Sequence, residues 1–370
     1  MTCLIYLSPL PWSSFAQRPH KFVEWFHART GGQVLWIDPY PTRLPTLDDF
    51  RRIKAAMGVV PSPVSMPVPE WLTVLQPRAL PIEPLPGSVL INRLLWTQIR
   101  REIDGFSQRS GCLLVIGKPS KMAVDILRSH PQLPSLFDAM DDFPAFYRGF
   151  SKWAMGPVEH EVAQLSKQIT VSSTLLANRF SECGARVRMA LNACAIEVLP
   201  SIDAPHVRSA PHVLGYVGTI AQWFDWEMVT ALALANPQMH VRLIGPVFGA
   251  IPSGLPGNIE LLPACSHQQA IDQMRQFSVG LIPFKRTLLT DSVDPIKYYE
   301  YRALGLPVLS TPFGEMAMRE GATGVFLADG QANLARVVVS ALAHQDDAAQ
   351  IAQFRSENSW SARFDSANIL

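Results

Sequence analysis

Two residues of opposite charge, Lys297 and Glu300, stand three positions apart in the segment DPIKYYEYRALGLPVLST, residues 294–311. On a helix this spacing places both side chains on one face. A lysine in a first helical turn opposes the helix dipole, whereas a bound phosphate there would accept charge-assisted hydrogen bonds worth about 1.5–3 kcal/mol each. Glu300 is an acceptor-only group suited to paired hydroxyls, such as a ribose diol. The pair predicts either an anion site or a plain surface ion pair.

The neighbouring residues predict the helix that carries this pair. Asp294 suits the N-cap position and Pro295 the first helical position, while Gly305 suits the left-handed position after the last turn. The helix is therefore expected from about Pro295 to Leu304, followed by a short buried strand.

Composition limits the classes of protein that need to be considered. The chain has 370 residues, of which 48% are hydrophobic and 17% charged, with a formal net charge of +1. This composition favours two packed domains and excludes the strongly basic surface typical of nucleic-acid binding. Five scattered cysteines indicate buried thiols in a reducing compartment. Because the N-terminus lacks a signal-peptide pattern, we expect a cytoplasmic protein.

Short apolar segments alternate with helix-like segments along the whole chain. Continuous apolar strands of this kind are typical of parallel sheets, which predicts an α/β fold. Strands are expected from Cys3, Gln33, Ser88, Cys112, Ser135, Gln168, Val213, Val241, Val279 and Leu306. Two series of strands predict a domain at 1–200 and another at 201–352, joined by the linker PSIDAPHVRSAP. The last helix, within 353–370, is expected to pack back on the first domain.

A proline-rich segment interrupts the first series. Eight prolines between Pro61 and Pro86 argue against regular helix or a central strand there. A long irregular connection of this kind is usually functional or mobile.

The first domain offers carboxylates at a strand end. The segment FDAMDDF places Asp138, Asp141 and Asp142 where a parallel sheet binds its ligands, beyond the carboxyl ends of the strands. Asp141 or Asp142 could orient an acceptor hydroxyl or accept its proton, or could instead cap the next helix. Arg18, after the first strand, could neutralise a phosphate or make a structural contact, and His20 is expected to be structural.

Several of these segments resemble the GT-B glycosyltransferases that use nucleotide sugars. KYYEYRALGLPVLST is similar to their C-terminal signature, and GYVGTIAQWFDWEMV and VRLIGPV are similar to the first strands of their second domain. The resemblance extends over most of the chain, with WSSFAQRPHKF, FDAMDDFPAF and LNACAIEVLPS in the first part. It points to the retaining family 4 and its bacterial teichuronic-acid and exopolysaccharide branch.

The resemblance implies roles for individual residues. Glu300 corresponds to the carboxylate that binds the ribose hydroxyls, Gly218 and Thr219 to the turn that approaches the diphosphate, and Gly245 to a strand end near the ribose or base. Where the family often has a second glutamate, this chain has Ser292, so Asp294 is left as either a sugar contact or an N-cap. Proline at 295 has no N–H to donate, which gives Lys297 the task of balancing the diphosphate charge.

The resemblance also implies the architecture and the reaction. We expect two Rossmann-like domains that face a central cleft, one for the acceptor and one for the donor. The reaction is transfer of a sugar from a nucleotide-diphosphate sugar, with retention, to a saccharide that is itself lipid-linked. No cofactor and no metal are expected, because the helix dipole and Lys297 can stabilise the leaving diphosphate. The segment INRLLWTQIRREI, residues 91–103, is a candidate for peripheral contact with the inner membrane.

Two alternatives remain open on the sequence alone. A UDP-sugar 2-epimerase of the same fold would share Glu300 and the diphosphate loop. A protein that binds a nucleotide or glycan without turnover would fit the absence of the second glutamate.

Overall fold

The computed structural model describes residues 1–45, 67–109, 111–201, 210–330 and 333–370, which form two compact units. The first unit comprises Met1–Ser172, Leu176–Ala190 and Phe364–Leu370, and the second comprises Ser173–Leu175 and Leu191–Arg363. Most of the predicted linker, residues 202–209, lies outside the described residues. So does the start of the proline-rich segment, residues 61–66.

A parallel sheet forms the centre of the first unit. Its described strands lie in the order β3-β2-β1-β4-β5-β6-β7. They are β1 (Cys3–Leu7), β2 (Gln33–Ile37), β3 (Leu72–Leu75), β4 (Cys112–Ile116), β5 (Ser135–Ala139), β6 (Gln168–Val171) and β7 (Val187–Met189). The helices are α1 (Arg18–Thr30), α2 (Ser88–Leu95), α3 (Thr97–Ser107), α4 (Lys121–Ser129), α5 (Gly149–Leu165) and α6 (Thr174–Arg179). The first two residues of α6 belong to the second unit.

The second unit repeats this plan. Its strands lie in the order β10-β9-β8-β11-β12-β13, and each pair is parallel. They are β8 (Val213–Val217), β9 (His240–Ile244), β10 (Ile259–Leu262), β11 (Val279–Ile282), β12 (Val308–Ser310) and β13 (Val325–Leu327). The helices are α7 (Trp226–Ala235), α8 (His267–Met274), α9 (Ile296–Ala303), α10 (Gly314–Ala317), α11 (Leu334–Ala343), α12 (Ala348–Glu357) and α13 (Trp360–Ser366).

The apolar strands form the cores of both units, which confirms the predicted α/β class with two parallel sheets. All five residues of β1, β4, β5 and β8 are buried. Burial on both faces is the reason that these strands read as unbroken apolar segments in the sequence. In the described ranges, no helix has the length and apolar character needed to cross a membrane.

The strand predicted at Ser88 is wrong, because Ser88–Leu95 forms helix α2. Its buried residues are Ser88 and Asn92, four positions apart, so one helical face packs inward while the leucines point outward. The Asn92 side chain accepts a hydrogen bond from the Leu80 backbone N–H at 2.9 Å, which fixes that face against the preceding loop.

The C-terminal helix α13 contributes its last turn to the first unit. Phe364 is fully buried, and its ring centroid lies 5.1 Å from that of Phe22 and 5.3 Å from that of Trp25. The Asp365 carboxylate accepts a hydrogen bond from Trp25 Nε1 at 2.9 Å and pairs with Arg29. The helix before it, α12, belongs wholly to the second unit.

Candidate functional site

Helix α9 brings three ionisable side chains together in the second unit. Glu300 forms an ion pair with Lys297, and Glu300 Oε1 lies 3.3 Å from His267 Nε2, at the first residue of α8. Glu300 is only 7% exposed, although a surface position was expected, whereas the Lys297 side chain is 23% and that of His267 54% exposed. The buried acceptor is thus covered by two accessible donors, and we call these three residues the Glu300 cluster.

Electrostatics keep the Glu300 carboxyl ionised. Burial alone would raise its pKa, but the charge of Lys297 and the contacts with His267 outweigh burial and lower the pKa to about 2. A buried carboxylate that stays ionised is suited to accept hydrogen bonds from a neutral diol.

The sheet order explains why these groups lie at one edge. Strand β8 lies between β9 and β11. The chain continues from β8 to β9 on one side of the sheet and from β11 to β12 on the other, so the strand order reverses between β8 and β11. The loops after parallel strands meet at the carboxyl edge, and a ligand binds where the strand order reverses. His267 follows β10, Thr219 follows β8, and α9 follows β11.

Two predicted glycines, Gly218 and Gly245, end neighbouring strands and nearly touch. A Cβ on Gly245 would lie 2.1 Å from the Gly218 carbonyl oxygen, and Gly245 has φ 143°. Only glycine permits this approach of the two strand ends.

The Gly218 N–H already has an acceptor within the protein, so it is not free to donate to a diphosphate. That N–H donates to the Ile244 carbonyl at 2.9 Å and so continues the sheet. The Thr219 N–H, in contrast, has no acceptor among the described residues, while the Thr219 carbonyl accepts from Tyr216 Oη at 2.9 Å. Of the two predicted residues in this turn, Thr219 is therefore the one whose amide has no acceptor within the described residues.

Asp294 points into the protein, and the prediction that it caps α9 is wrong. Pro295 occupies the N-cap position without a side-chain cap. The Asp294 carboxylate instead accepts hydrogen bonds from Asn192 N at 2.6 Å, Tyr299 Oη at 2.8 Å and Arg319 at 2.6 Å. These contacts hold the start of α9 in place, and the alternative that Asp294 contacts the sugar stays a prediction.

Asp141 and Asp142 follow β5 in the first unit and differ in their partners. The Asp142 carboxylate lies 2.5 Å from the Arg179 guanidinium, which also contacts Glu159 at 2.5 Å. Asp142 stands at the N-cap of a short 3₁₀ helix, Phe143–Phe146, but makes no side-chain cap. Asp141 is half-buried, and no hydrogen-bond or ion-pair partner for its side chain occurs in the described parts of the chain.

The environment of Asp141 suits proton exchange near neutral pH. Burial raises its pKa to about 7; the charge of Arg18 opposes this rise, and Asp138 and Asp142 reinforce it. Burial likewise raises the pKa of Glu159 to about 7, against the charge of Arg179. A carboxyl with a pKa near 7 can accept a proton from a hydroxyl and release it again.

Of the two roles proposed for Arg18, the contacts in this structure support the structural one over neutralising a phosphate. It is 3% exposed, its guanidinium pairs with the fully buried Asp138 at 2.6 Å, and it donates to the Ala190 carbonyl at 2.7 Å. The pair joins α1 to β5 and to the end of β7. His20 is also structural, since it is buried and its Nε2 lies 3.2 Å from the Trp12 carbonyl.

Sequence reasoning missed His267, Glu159 and Arg179. The segment SHQQ carries a helix-start signal, because Ser266 and Gln269 form a capping box, and this signal places His267 at the carboxyl edge of the sheet. No local signal marks Glu159 or Arg179, which meet Asp142 only through the packing of the first unit.

Comparisons with known proteins support the fold described above. No protein-family model matches the chain. A stretch of 105 residues is 30% identical to "Putative teichuronic acid biosynthesis glycosyltransferase TuaH" of Bacillus subtilis (strain 168). The match covers 27% of this chain and 26% of that protein, so it spans about a quarter of the curated relative.

Solved structures match over nearly the whole chain. Sucrose-phosphate synthase from Thermosynechococcus elongatus is 12% identical with TM-score 0.64, covering 98% of this chain and 96% of that one. Anabaena HepE in complex with UDP-glucose is 13% identical with TM-score 0.63, covering 100% and 97%. An α,α-trehalose-phosphate synthase (UDP-forming) from Burkholderia vietnamiensis is 12% identical with TM-score 0.61, covering 99% and 96%. These likenesses confirm the predicted fold class, two parallel-sheet α/β domains with GT-B glycosyltransferases as structural neighbours.

Proposed function

We propose that the protein transfers a sugar from a UDP-sugar to a saccharide acceptor. The observation that carries the proposal is the Glu300 cluster, a buried ionised carboxylate with two accessible cationic or donor groups, at the switch point of a Rossmann-like sheet. The uridine nucleotide is suggested by the UDP and UDP-glucose complexes of HepE and by the UDP-forming synthase, which share this fold.

The second unit would bind the donor through groups already in position. Glu300 accepts the ribose hydroxyls, and Lys297, being half-buried, turns from Glu300 towards the diphosphate. The Thr219 N–H and the first free N–H groups of α9 donate to the phosphate oxygens. Lys297 and the helix dipole then stabilise the charge that develops on the diphosphate as the bond to the sugar breaks.

The first unit would bind the acceptor near Asp141. For transfer with retention, the leaving diphosphate takes the hydroxyl proton and Asp141 orients the acceptor; for inversion, Asp141 takes the proton itself. The family-4 membership and retention predicted from the sequence remain proposals, and the anomeric configuration of the product, read by NMR, decides between the two roles.

The acceptor proposed is a lipid-linked saccharide of bacterial cell-surface or exopolysaccharide synthesis, reached from the cytoplasmic side of the membrane. Support comes from the local resemblance to TuaH, whose name places it in teichuronic acid biosynthesis. No metal is proposed for the transfer.

One assay separates transfer from the two alternatives. The protein is incubated with a panel of nucleotide sugars, with and without a bacterial lipid extract. Nucleotide release that requires the extract supports transfer. Isomerisation of the sugar without an acceptor would indicate the epimerase, and saturable binding without product would indicate a non-catalytic protein.

Replacing Glu300 tests the donor site directly. Glu300→Gln keeps the shape but removes the charge that accepts the ribose hydroxyls, so UDP affinity measured by calorimetry should fall at least tenfold, corresponding to about 1.4 kcal/mol. The exposed Asp272→Asn, on helix α8, is the matched control and should bind UDP as the unaltered protein does. Unchanged affinity in the Glu300 variant would refute the assignment.

A further inference from the structure

The first turns of helix α5 and the 3₁₀ helix before it carry an exposed aromatic cluster. Phe146, Phe150 and Trp153 are 54%, 45% and 71% exposed. The rings of Phe150 and Trp153 stack, with centroids 5.4 Å apart and planes inclined by 25°. Single exposed apolar residues are common on protein surfaces, but three large aromatic side chains within eight residues indicate a surface that binds something.

Two cations accompany these aromatic side chains. Arg148 and Lys152 are exposed, and within the described ranges neither side chain has a hydrogen-bond or ion-pair partner. The sequence contains no aspartate or glutamate from residue 143 to residue 158. The first acidic side chain after this interval, Glu159, is buried and already bonded to Arg179. Among the residues that the structure describes, no acidic side chain pairs with the positive charge of this segment.

We propose that Phe146, Arg148, Phe150, Lys152 and Trp153, here called the basic-aromatic surface, bind the face of an anionic lipid bilayer. Aromatic rings lie at the boundary between headgroups and acyl chains, where they contact the acyl chains without crossing the membrane. Each cation near such a bilayer strengthens binding about fivefold through attraction to anionic headgroups. The aromatic and cationic side chains thus act on the same partner.

A carbohydrate partner would require different neighbours. Sugar rings stack on aromatic faces, but their hydroxyls also need carboxylate, amide or hydroxyl groups beside the rings. Both hydroxyls of this segment are engaged within the protein: Ser151 is buried and accepts a hydrogen bond from the Leu44 N–H at 3.2 Å, and Tyr147 Oη lies 2.7 Å from Thr42 Oγ1. The cations cannot accept a hydrogen bond from a hydroxyl, so the side chains present favour an anionic partner.

The segment 91–103, predicted to touch the membrane, lacks this combination. Leu90 and Leu94 of helix α2 are 69% and 78% exposed. Arg93 and Arg100 share the single carboxylate of Asp125, and the exposed Arg101 is followed by Glu102, so part of the positive charge here is offset within the protein. The basic-aromatic surface has no acidic partner among the described residues, and this difference favours it over segment 91–103.

Chain geometry relates the basic-aromatic surface to Asp141. Phe146 follows Asp141 by five residues, which limits their Cα separation to about 18 Å. If the proposed function holds, a bilayer bound at this surface would lie close to the acceptor carboxyl, as a lipid-linked acceptor requires. Membrane binding itself needs neither donor nor acceptor, so its failure would leave the sugar-transfer proposal intact.

The test is co-sedimentation of the whole protein with vesicles. One set is pure phosphatidylcholine and the other contains about one-third phosphatidylglycerol, a typical anionic lipid. We expect binding to the anionic vesicles only, reversed by high salt. Phe150→Ser with Trp153→Ser should weaken it at least tenfold, and Arg148→Gln with Lys152→Gln should remove the preference for anionic lipid.

One control variant and one folding measurement keep this test decisive. Leu234→Ser, at a 65% exposed leucine of the second unit, should bind vesicles as the unaltered protein does. The midpoint of urea denaturation should be close to that of the unaltered protein in every variant, which confirms that each is folded. The proposal is overturned if the unaltered protein ignores anionic vesicles. It is equally overturned if Leu90→Ser with Leu94→Ser, and not the aromatic pair, abolishes binding, or if the aromatic pair affects only affinity for a water-soluble saccharide.

Discussion

Individual residues show how far side-chain chemistry can be foreseen. The same-face contact of Lys297 and Glu300 follows from their spacing alone, and the structure confirms it. The fate of Asp294 does not follow from local sequence, because its partners Asn192 and Arg319 come from distant segments. A carboxylate at a helix start was expected to cap that helix, but three other donors, from Asn192, Tyr299 and Arg319, bind it instead.

Asp141 should cost stability in its ionised form. Its pKa is about 7 in the folded protein, above the ordinary value of 3.8, so folding disfavours the charged carboxyl. This destabilisation grows as pH rises from about 4 to about 7 and then stays constant. Asp141→Asn should therefore raise the free energy of unfolding at pH 8 by roughly 2 kcal/mol, allowing for partial exposure, and by much less near pH 4.

Urea denaturation at the two pH values measures this effect, and the activity assay accompanies it. A variant that is more stable and less active would mark Asp141 as a group kept for function at a cost in stability. Equal stability of both proteins at pH 8 would contradict the environment described for this carboxyl. The exposed Asp272→Asn again serves as control.

Removing one partner of the Asp294–Arg319 ion pair should destabilise the protein more than removing both. Asp294→Asn leaves the largely buried Arg319 without its counter-charge and should lower the free energy of unfolding by about 3–5 kcal/mol. Adding Arg319→Met removes the unpaired charge, so the double variant should regain part of that loss. Urea titration of the single and double variants measures it, and a double variant less stable than either single one would contradict the account.

At the scale of elements, the central strands were predictable and the edge strands were not. The four strands missed in the sequence, β3, β7, β10 and β13, each lie at the edge of a sheet. Edge strands are short and partly exposed, so they lack the continuous apolar pattern that burial on both faces produces. The proline rule held within the described residues, since Leu72–Leu75, inside the proline-rich segment, is an edge strand.

The close approach of Gly218 and Gly245, at the ends of β8 and β9, predicts that a larger side chain at either position will weaken UDP binding. Gly245→Ala places a methyl group 2.1 Å from the Gly218 carbonyl, so the two strand ends must separate. Separation shifts the adjoining Thr219 turn, and UDP affinity should fall at least tenfold, a change of about 1.4 kcal/mol. Gly257→Ala, where an added Cβ meets no atom within 4 Å, is the control. Calorimetry of the two variants decides, and equal UDP affinities would show that the turn is not part of the donor site.

At the scale of the whole molecule, the first unit depends on residues far along the chain. Phe364 packs against Phe22 and Trp25, although the helix that carries it begins in the second unit. The sequence predicted a return of the last helix in general terms, but no local pattern marks Phe364 and Asp365 as the residues that make the contact.

Removing that contact should destabilise the first unit selectively. Phe364→Ala leaves a cavity in place of a fully buried ring, which costs about 3–5 kcal/mol. Hydrogen exchange should then show faster opening of helix α1 and strand β1 than of β8 or β11. Phe248→Ala, at a 65% exposed ring, is the control and should change neither unit. Uniform loss of protection in both units would argue against the division described here.

The position of Phe364 also bears on biosynthesis. While the chain is being made, residues 1–190 leave the ribosome long before residue 364 exists, so the site that Phe364 fills beside Phe22 and Trp25 must stay open through synthesis of the second unit. The nascent first unit consequently presents an apolar, chaperone-accessible patch during that interval. A fragment that stops at residue 190 would keep the patch permanently, and its recombinant expression should yield aggregates unless the 364–370 peptide is supplied.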